Sequence, residues 1–201
     1  MNSLLKDLNE PQKDAVLSTE GPVLMLAGAG SGKTKALTHR IAYLVAEKGV
    51  QPNQILAVTF TNKAAGEMRQ RVLRLIGRRD SDRHYFPFAG TFHSICLRIL
   101  RKDGGHIGLA SNFTIFDATD SLAAVKQAMR QLGVDEKQFN PNLIAGLISS
   151  AKNELIGPSN YAEHARGAAQ EVAAKVYPLY QQTLSQASAL DFDDIIMKTV
   201  Q

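Results

Sequence analysis

Apolar and polar positions follow two textures along this 201-residue chain. In the first hundred residues, short apolar runs alternate with stretches whose apolar positions recur every three or four residues. Residues 22–27 and 54–60 are runs of the first kind, apolar at successive positions as parallel strands buried on both faces should be. Residues 33–47 set Leu37, Ile41, Leu44 and Val45 on one helical face with Gly49 beyond the end. Residues 62–76 do the same with Ala65, Met68, Val72 and Leu75 inward and Gly77 as the stop. A short helix over 10–18 is capped by Asn9 and tolerates Pro11 in its first turn. Residues 87–92 read as a third strand, and Ile95, Cys96, Ile99 and Leu100 mark a helix over 92–102, after a polar loop at 78–84. Strand, helix, strand, helix in that order predicts an α/β fold on a parallel sheet with right-handed crossovers.

Beyond about residue 118 the texture becomes helical. Leu122, Val125, Met129 and Leu132 mark one helix, ended by Gly133. Leu143, Ile144, Leu147, Ile148 and Leu155 mark another, entered at Asn140 and Pro141 and closed at Gly157 and Pro158. A third pattern over 168–187 contains Pro178, which predicts a kink or a split. Residues 118–188 thus read as a helical insertion, flanked by FTIFD (113–117) and LDFDDII (190–196).

Composition narrows the class. At 44% hydrophobic, the chain can bury one good core or two small ones. Its apolar runs fall well short of the roughly 20 residues a membrane-spanning helix needs. The opening MNSLLKDLNEPQ has no signal-peptide architecture, so the expectation is a soluble cytoplasmic protein without a membrane partner. The single cysteine, Cys96, excludes an internal disulfide and a cysteine-built metal site, and reads as a buried small hydrophobe. Residues 1–100 hold 14 Lys or Arg against 8 Asp or Glu, a balance of +6; residues 101–201 hold 9 against 11, a balance of −2. The basic half suggests a polyanion nearby.

That half also carries AGAGSGKT, residues 27–34, which fits a phosphate-binding loop with Ala27 where glycine is usual. Gly28, Ala29, Gly30, Ser31 and Gly32 supply backbone N–H groups for phosphates. Lys33 reaches the β and γ phosphates, Thr34 offers a hydroxyl to Mg²⁺, and the positive end of the following helix faces the anion. Hydrolysis also needs a strand ending in an acid that holds the metal. FTIFD, ending in Asp117, is one candidate and LDFDDII a weaker one; neither carries adjacent Asp and Glu. Taken alone, the residues support nucleotide binding more strongly than turnover.

Five blocks in order resemble the N-terminal part of the UvrD/Rep/PcrA family of superfamily 1 DNA helicases, the PcrA branch most of all. They are LNEPQKDAV around Gln12, AGAGSGKT, AVTFTNKAAGEM (57–68), GTFHSICLRILR (90–101) and LDFDD (190–194). The resemblance implies a RecA-like P-loop NTPase sheet, with partial domain 1A over 1–112 (its boundary falling between 85 and 117). It implies an inserted mainly helical domain 1B over 113–188, and a return segment toward 1A over 189–201 that stops before the family's Asp-Glu motif. Gln12 would read the adenine edge. Lys35, where relatives often carry Arg, would join Lys33 in nucleotide binding. Phe60, Thr61, Asn62 and Lys63 would contact single-stranded DNA, with Thr91, Phe92 and His93 as a second DNA motif. The parent would be an ATP- and Mg²⁺-dependent 3′–5′ DNA helicase of repair or replication acting at junctions of single- and double-stranded DNA. This chain would lack its second motor domain and, alone, its turnover. Two other readings stay in view: a self-contained small P-loop kinase using Asp117 as its metal acid, and a DNA-binding module with a vestigial loop.

Overall fold

The first helix, α1 (Glu10–Leu17), begins where local chemistry places it. Asn9 accepts the Gln12 N–H and the Gln12 side chain accepts the Asn9 N–H, with Pro11 in the first turn. The computed structural model describes residues 3–79, 81, 82 and 84–201, so Asp80 and Arg83 of the expected polar loop lie outside the described residues. Its contacts divide it into two units, Met1–Ile95 and Cys96–Gln201.

The first unit continues with α2 (Lys33–Ala46), β1 (Ala57–Thr59), α3 (Asn62–Leu75) and β2 (Ala89–Thr91). The division between units falls inside the next helix, α4 (Phe92–Asp103). Strands β1 and β2 are parallel, with Ala57 opposite Ala89 and Thr59 opposite Thr91. Ile41, Ala42, Ile55, Ala57, Met68, Val72, Leu73, Phe86 and Ala89 form the core beneath them. Three basic side chains of α2 tie the N-terminal segment down: Lys35 donates to the Asp7 carbonyl, Arg40 to those of Ala15 and Ser18, and His39 Nδ1 lies 2.6 Å from the Leu4 carbonyl.

Several expectations change here. Residues 22–27 form no strand, and Leu24 and Leu26 are 82% and 86% exposed. A strand is made by its ladder, and among the described residues β1 and β2 pair only with each other. The strand expected over 54–60 shrinks to Ala57–Thr59 behind a 3₁₀ turn at Pro52–Gln54, leaving Leu56 exposed. On α2 the buried face is Ala36, Thr38, His39, Ile41 and Ala42, so Leu37 points outward. Leu73 replaces Leu75 as the fully buried end of α3. Cys96 is only partly buried.

In the second unit, β3 (Thr114–Ile115) pairs in parallel with β4 (Ala189–Leu190). Between them lie α5 (Ala118–Gln131), α6 (Pro141–Asn153), α7 (Pro158–His164) and α8 (Ala168–Gln186), and α9 (Phe192–Val200) follows. Val125, Met129, Ile144, Ile148, Tyr161, Val176, Tyr177 and Leu184 fill the helical core. Gly157 and Pro158, expected to end a helix, instead open α7 with Pro158 in its first turn. Pro178 does not split α8, which runs unbroken. The buried side chains Val176, Tyr177, Tyr180 and Leu184 flanking the exposed proline hold that helix against its neighbours. Among the described residues no helix is long and apolar enough to cross a membrane.

A buried ionic cluster joins α6 to the start of α9. Lys152 Nζ, on α6, lies 2.6 Å from Asp191 Oδ2 and 2.9 Å from Asp194 Oδ1, its side chain fully buried. Tyr180 donates its hydroxyl to Asp191 at 2.6 Å, and Gln181 donates its amide to Asp194 at 3.0 Å. Asp191 also caps α9 by accepting the Asp194 N–H. Burial, followed by the charge of Asp191, pushes the Tyr180 hydroxyl well above its ordinary pKa. Asp191 and Asp194 of LDFDDII are therefore spent on holding the fold.

Candidate nucleotide and nucleic-acid site

The phosphate loop is shaped by its glycines. Gly30 and Gly32 have φ of 77° and 84°, left-handed conformations that side-chain-bearing residues adopt at a cost. Ser31 folds back on the loop, its N–H and hydroxyl both donating to the Gly28 carbonyl at 3.4 and 2.7 Å. Gly32 is the N-cap of α2 and supplies no side-chain acceptor. The first N–H groups of that helix are therefore left to an incoming anion, where the helix dipole also favours negative charge. Lys33 Nζ lies over the loop, donating to the carbonyls of Ala27 at 2.8 Å and Gly28 at 2.6 Å. Thr34 stands exposed in the first turn, and Ala27, Gly28, Ala29, Gly30 and Ser31 are exposed too.

A second group gathers at the carboxyl ends of β1 and β2. Because Thr59 and Thr91 are register partners, the residues that follow them emerge side by side. Phe60 is 93% exposed and Phe92 44%, and their ring centroids lie 6.1 Å apart at an interplanar angle of 47°. Water-facing aromatic rings in contact are costly for a surface with no partner, and they are the shape on which bases stack. Thr61 caps α3 by accepting the Ala64 N–H, leaving Asn62 and Lys63 exposed in its first turn. Thr91 accepts the Ser94 N–H at the start of α4, with His93 exposed beside it.

With that geometry in place, the family comparison is decisive: the model of the UvrD/REP helicase N-terminal domain matches residues 8–201. The chain belongs to this UvrD/REP family. It is 49% identical over 200 residues to the ATP-dependent DNA helicase PcrA of Staphylococcus aureus, and equally to that of Staphylococcus epidermidis. Each alignment covers 100% of this chain and 27% of the relative. The chain thus spans about a quarter of the length of these curated relatives.

Within this UvrD/REP domain the glycine-rich loop and the paired aromatics both fall in the first unit. Asp117, the alternative metal acid, is used otherwise: its Oδ1 accepts the N–H groups of Thr119 at 2.7 Å and Asp120 at 2.9 Å as the N-cap of α5. Sequence reasoning missed three features. One is the donation from Gln12 Nε2 to the Ser31 carbonyl at 3.0 Å; another is the tether of Lys35 to Asp7. The third is the burial of Lys152, whose partner Asp191 lies 39 positions later. The pairing of Asn9 with Gln12, both of capping type at the right spacing, was the one local signal that could have placed Gln12.

Proposed function

We propose that this chain is the part of an ATP-dependent 3′–5′ DNA helicase that binds ATP and single-stranded DNA, working in the cytoplasm in repair or replication at junctions of single- and double-stranded DNA. In this reading residues 1–112 belong to motor domain 1A, 113–188 to the inserted domain 1B and 189–201 to the return into 1A, completed by the helicase's remaining length. The observation that carries the proposal is the contact between exposed Phe60 and Phe92 at the ends of two parallel strands. Parallel sheets present ligands at that edge.

The chain's own residues divide the work. Lys33 exchanges its loop carbonyls for β and γ phosphate oxygens, a charge-assisted contact stronger than the neutral ones it leaves. The loop N–H groups from Gly28 to Gly32 and the start of α2 hold the remaining phosphate charge, and Lys35 would join them by exchanging the Asp7 carbonyl for a phosphate oxygen. Thr34 would be the protein's hydroxyl ligand to Mg²⁺. Among the described residues no cluster of three or more His, Cys, Asp or Glu could hold a metal by itself, which fits a cation that arrives with its phosphates. Held there, the metal would supply positive charge that offsets the charge of the phosphates. Phe60 and Phe92 would stack on successive bases while Thr61, Asn62, Lys63, Thr91 and His93 engage the backbone.

Two titrations on the 201-residue chain test this. Lys33→Ala should weaken ATP binding about ten- to a hundredfold and leave oligodeoxythymidine binding in place. Phe60→Ala with Phe92→Ala should do the reverse. Unchanged affinities in both variants would defeat the assignment.

A further inference from the structure

We infer that Gln12 is a positioning residue for the phosphate loop, acting on any triphosphate whatever its base. This deepens the nucleotide-site reading above and rests on it. The side chain of Gln12 donates Nε2–H to the Ser31 carbonyl, in the middle of the loop and 19 positions away in sequence. The same amide's Oε1 accepts the Asn9 N–H at 3.2 Å, and the Gln12 backbone N–H donates to Asn9 Oδ1 at 3.0 Å. The amide is thus fixed at both ends, by the helix cap on one side and the loop on the other. Its base, α1, is in turn fastened to α2 by Arg40 on the Ala15 and Ser18 carbonyls.

The loop is built to admit this side chain. A Cβ at position 32 would lie 2.5 Å from Gln12 Nε2, so the bare Gly32, whose φ of +84° favours glycine in any case, leaves room for the amide where it now sits. Turning the Ser31 carbonyl toward Gln12 fixes the peptide joining Ser31 to Gly32. The N–H of Gly32, on the opposite side of that peptide, is thereby oriented as one of the donors a phosphate would meet. A primary amide carries two N–H donors and two acceptor lone pairs. The cap and the loop take one of each, which leaves one donor and one acceptor, the complement that an adenine edge presents. Gln12 can therefore engage a base and hold the loop at the same time, so the hold on the loop need not depend on the base.

The test uses inorganic tripolyphosphate beside ATP and GTP, measured by titration calorimetry on the 201-residue chain. In Gln12→Met, which keeps the length and loses both polar atoms, all three ligands should bind about three- to tenfold more weakly. Asn9→Ala serves as the control, because it removes the cap acceptor and leaves Gln12 its bond to Ser31. It should lower the melting midpoint and leave tripolyphosphate affinity near wild type. Tripolyphosphate binding unchanged in Gln12→Met, with ATP alone weakened, would reduce Gln12 to a reader of the base and overturn the inference. So would an equal loss of tripolyphosphate binding in Asn9→Ala, which would trace the effect to the stability of α1. Lys33→Ala separates this inference from the reading beneath it. If that variant bound tripolyphosphate as wild type does, the loop would not be the phosphate site and both would fall.

Discussion

The two units of this chain handle polar groups in opposite ways. In Cys96–Gln201 the charged residues that matter most are inside: Lys152, Asp191 and Asp194 are buried and bonded to one another, and Tyr180 and Gln181 complete the set. In Met1–Ile95 the residues that matter most are outside: Lys33, Thr34, Lys63 and Phe60 are all exposed. The first arrangement uses charge to specify a fold, since a buried ion pair stabilises little beyond what apolar packing would but tolerates few alternative partners. The second sets donors, cations and aromatic faces toward solvent at the ends of strands and helices, an arrangement that adds little to stability and, in the proposed reading, supplies binding capacity. The same residue types therefore carry different meanings, and burial is what separates them.

Removing the central cation should have the largest effect. Lys152→Met leaves two carboxylates buried beside a thioether, and the second unit should lose about 3–5 kcal/mol, read from urea denaturation followed by helical circular dichroism. A loss below about 1 kcal/mol would mean that water reaches the cluster, and the contrast between the units would weaken.

Alkaline pH should strain the same unit. Burial first, and the carboxylates of Asp194 and Asp191 after it, raise the Tyr177 hydroxyl above its ordinary value of 10.0, and Tyr180 is raised likewise. Each tyrosine stays protonated in the folded chain while its unfolded counterpart ionises. The unfolded state then binds fewer protons, so stability is intact below about pH 10 and falls as pH rises beyond it. Tyr177→Phe, which cannot ionise, should flatten that decline in a denaturation series from about pH 9 to 11.

A smaller effect is expected at Asp117. It satisfies two N–H groups at the head of α5, so Asp117→Ala should cost about 1 kcal/mol and leave ATP affinity untouched. Loss of nucleotide binding in that variant would revive the small-kinase reading.

How far the sequence could anticipate all this follows from the range of the interactions. Helix α1 was legible to within one residue because Asn9, Pro11 and Gln12 determine it among themselves. The loop over 27–34 was legible because its glycines and Lys33 act on their own neighbours. Residues 22–27 misled because an apolar run becomes a strand only through a ladder elsewhere in the chain, which no local pattern reports. Lys152 gave no signal for a related reason. Its helical context is that of an ordinary surface cation, and only the fold brings α6 to the N-terminus of α9. The contact of Phe60 with Phe92 had the same character: each motif was visible, and the register of β1 against β2 is what joins them.

That contact supplies the smallest stability effect and the sharpest separation of the two units. Phe60 is 93% exposed, so its ring contributes little burial to the folded state. Phe60→Ser should therefore change unfolding free energy by no more than about 0.5 kcal/mol, and the loss of an apolar surface group could even improve solubility. The same change removes one stacking face, and single-stranded DNA affinity should fall about fivefold or more, measured by fluorescence anisotropy at one fixed salt concentration because phosphate contacts vary with salt. Lys152→Met gives the mirror image: it should lower stability first and alter DNA binding only where the fold itself is lost. A Phe60→Ser chain that unfolded easily yet bound DNA normally would invert the comparison, making the ring a structural element and the exposed edge of β1 and β2 something other than a stacking platform.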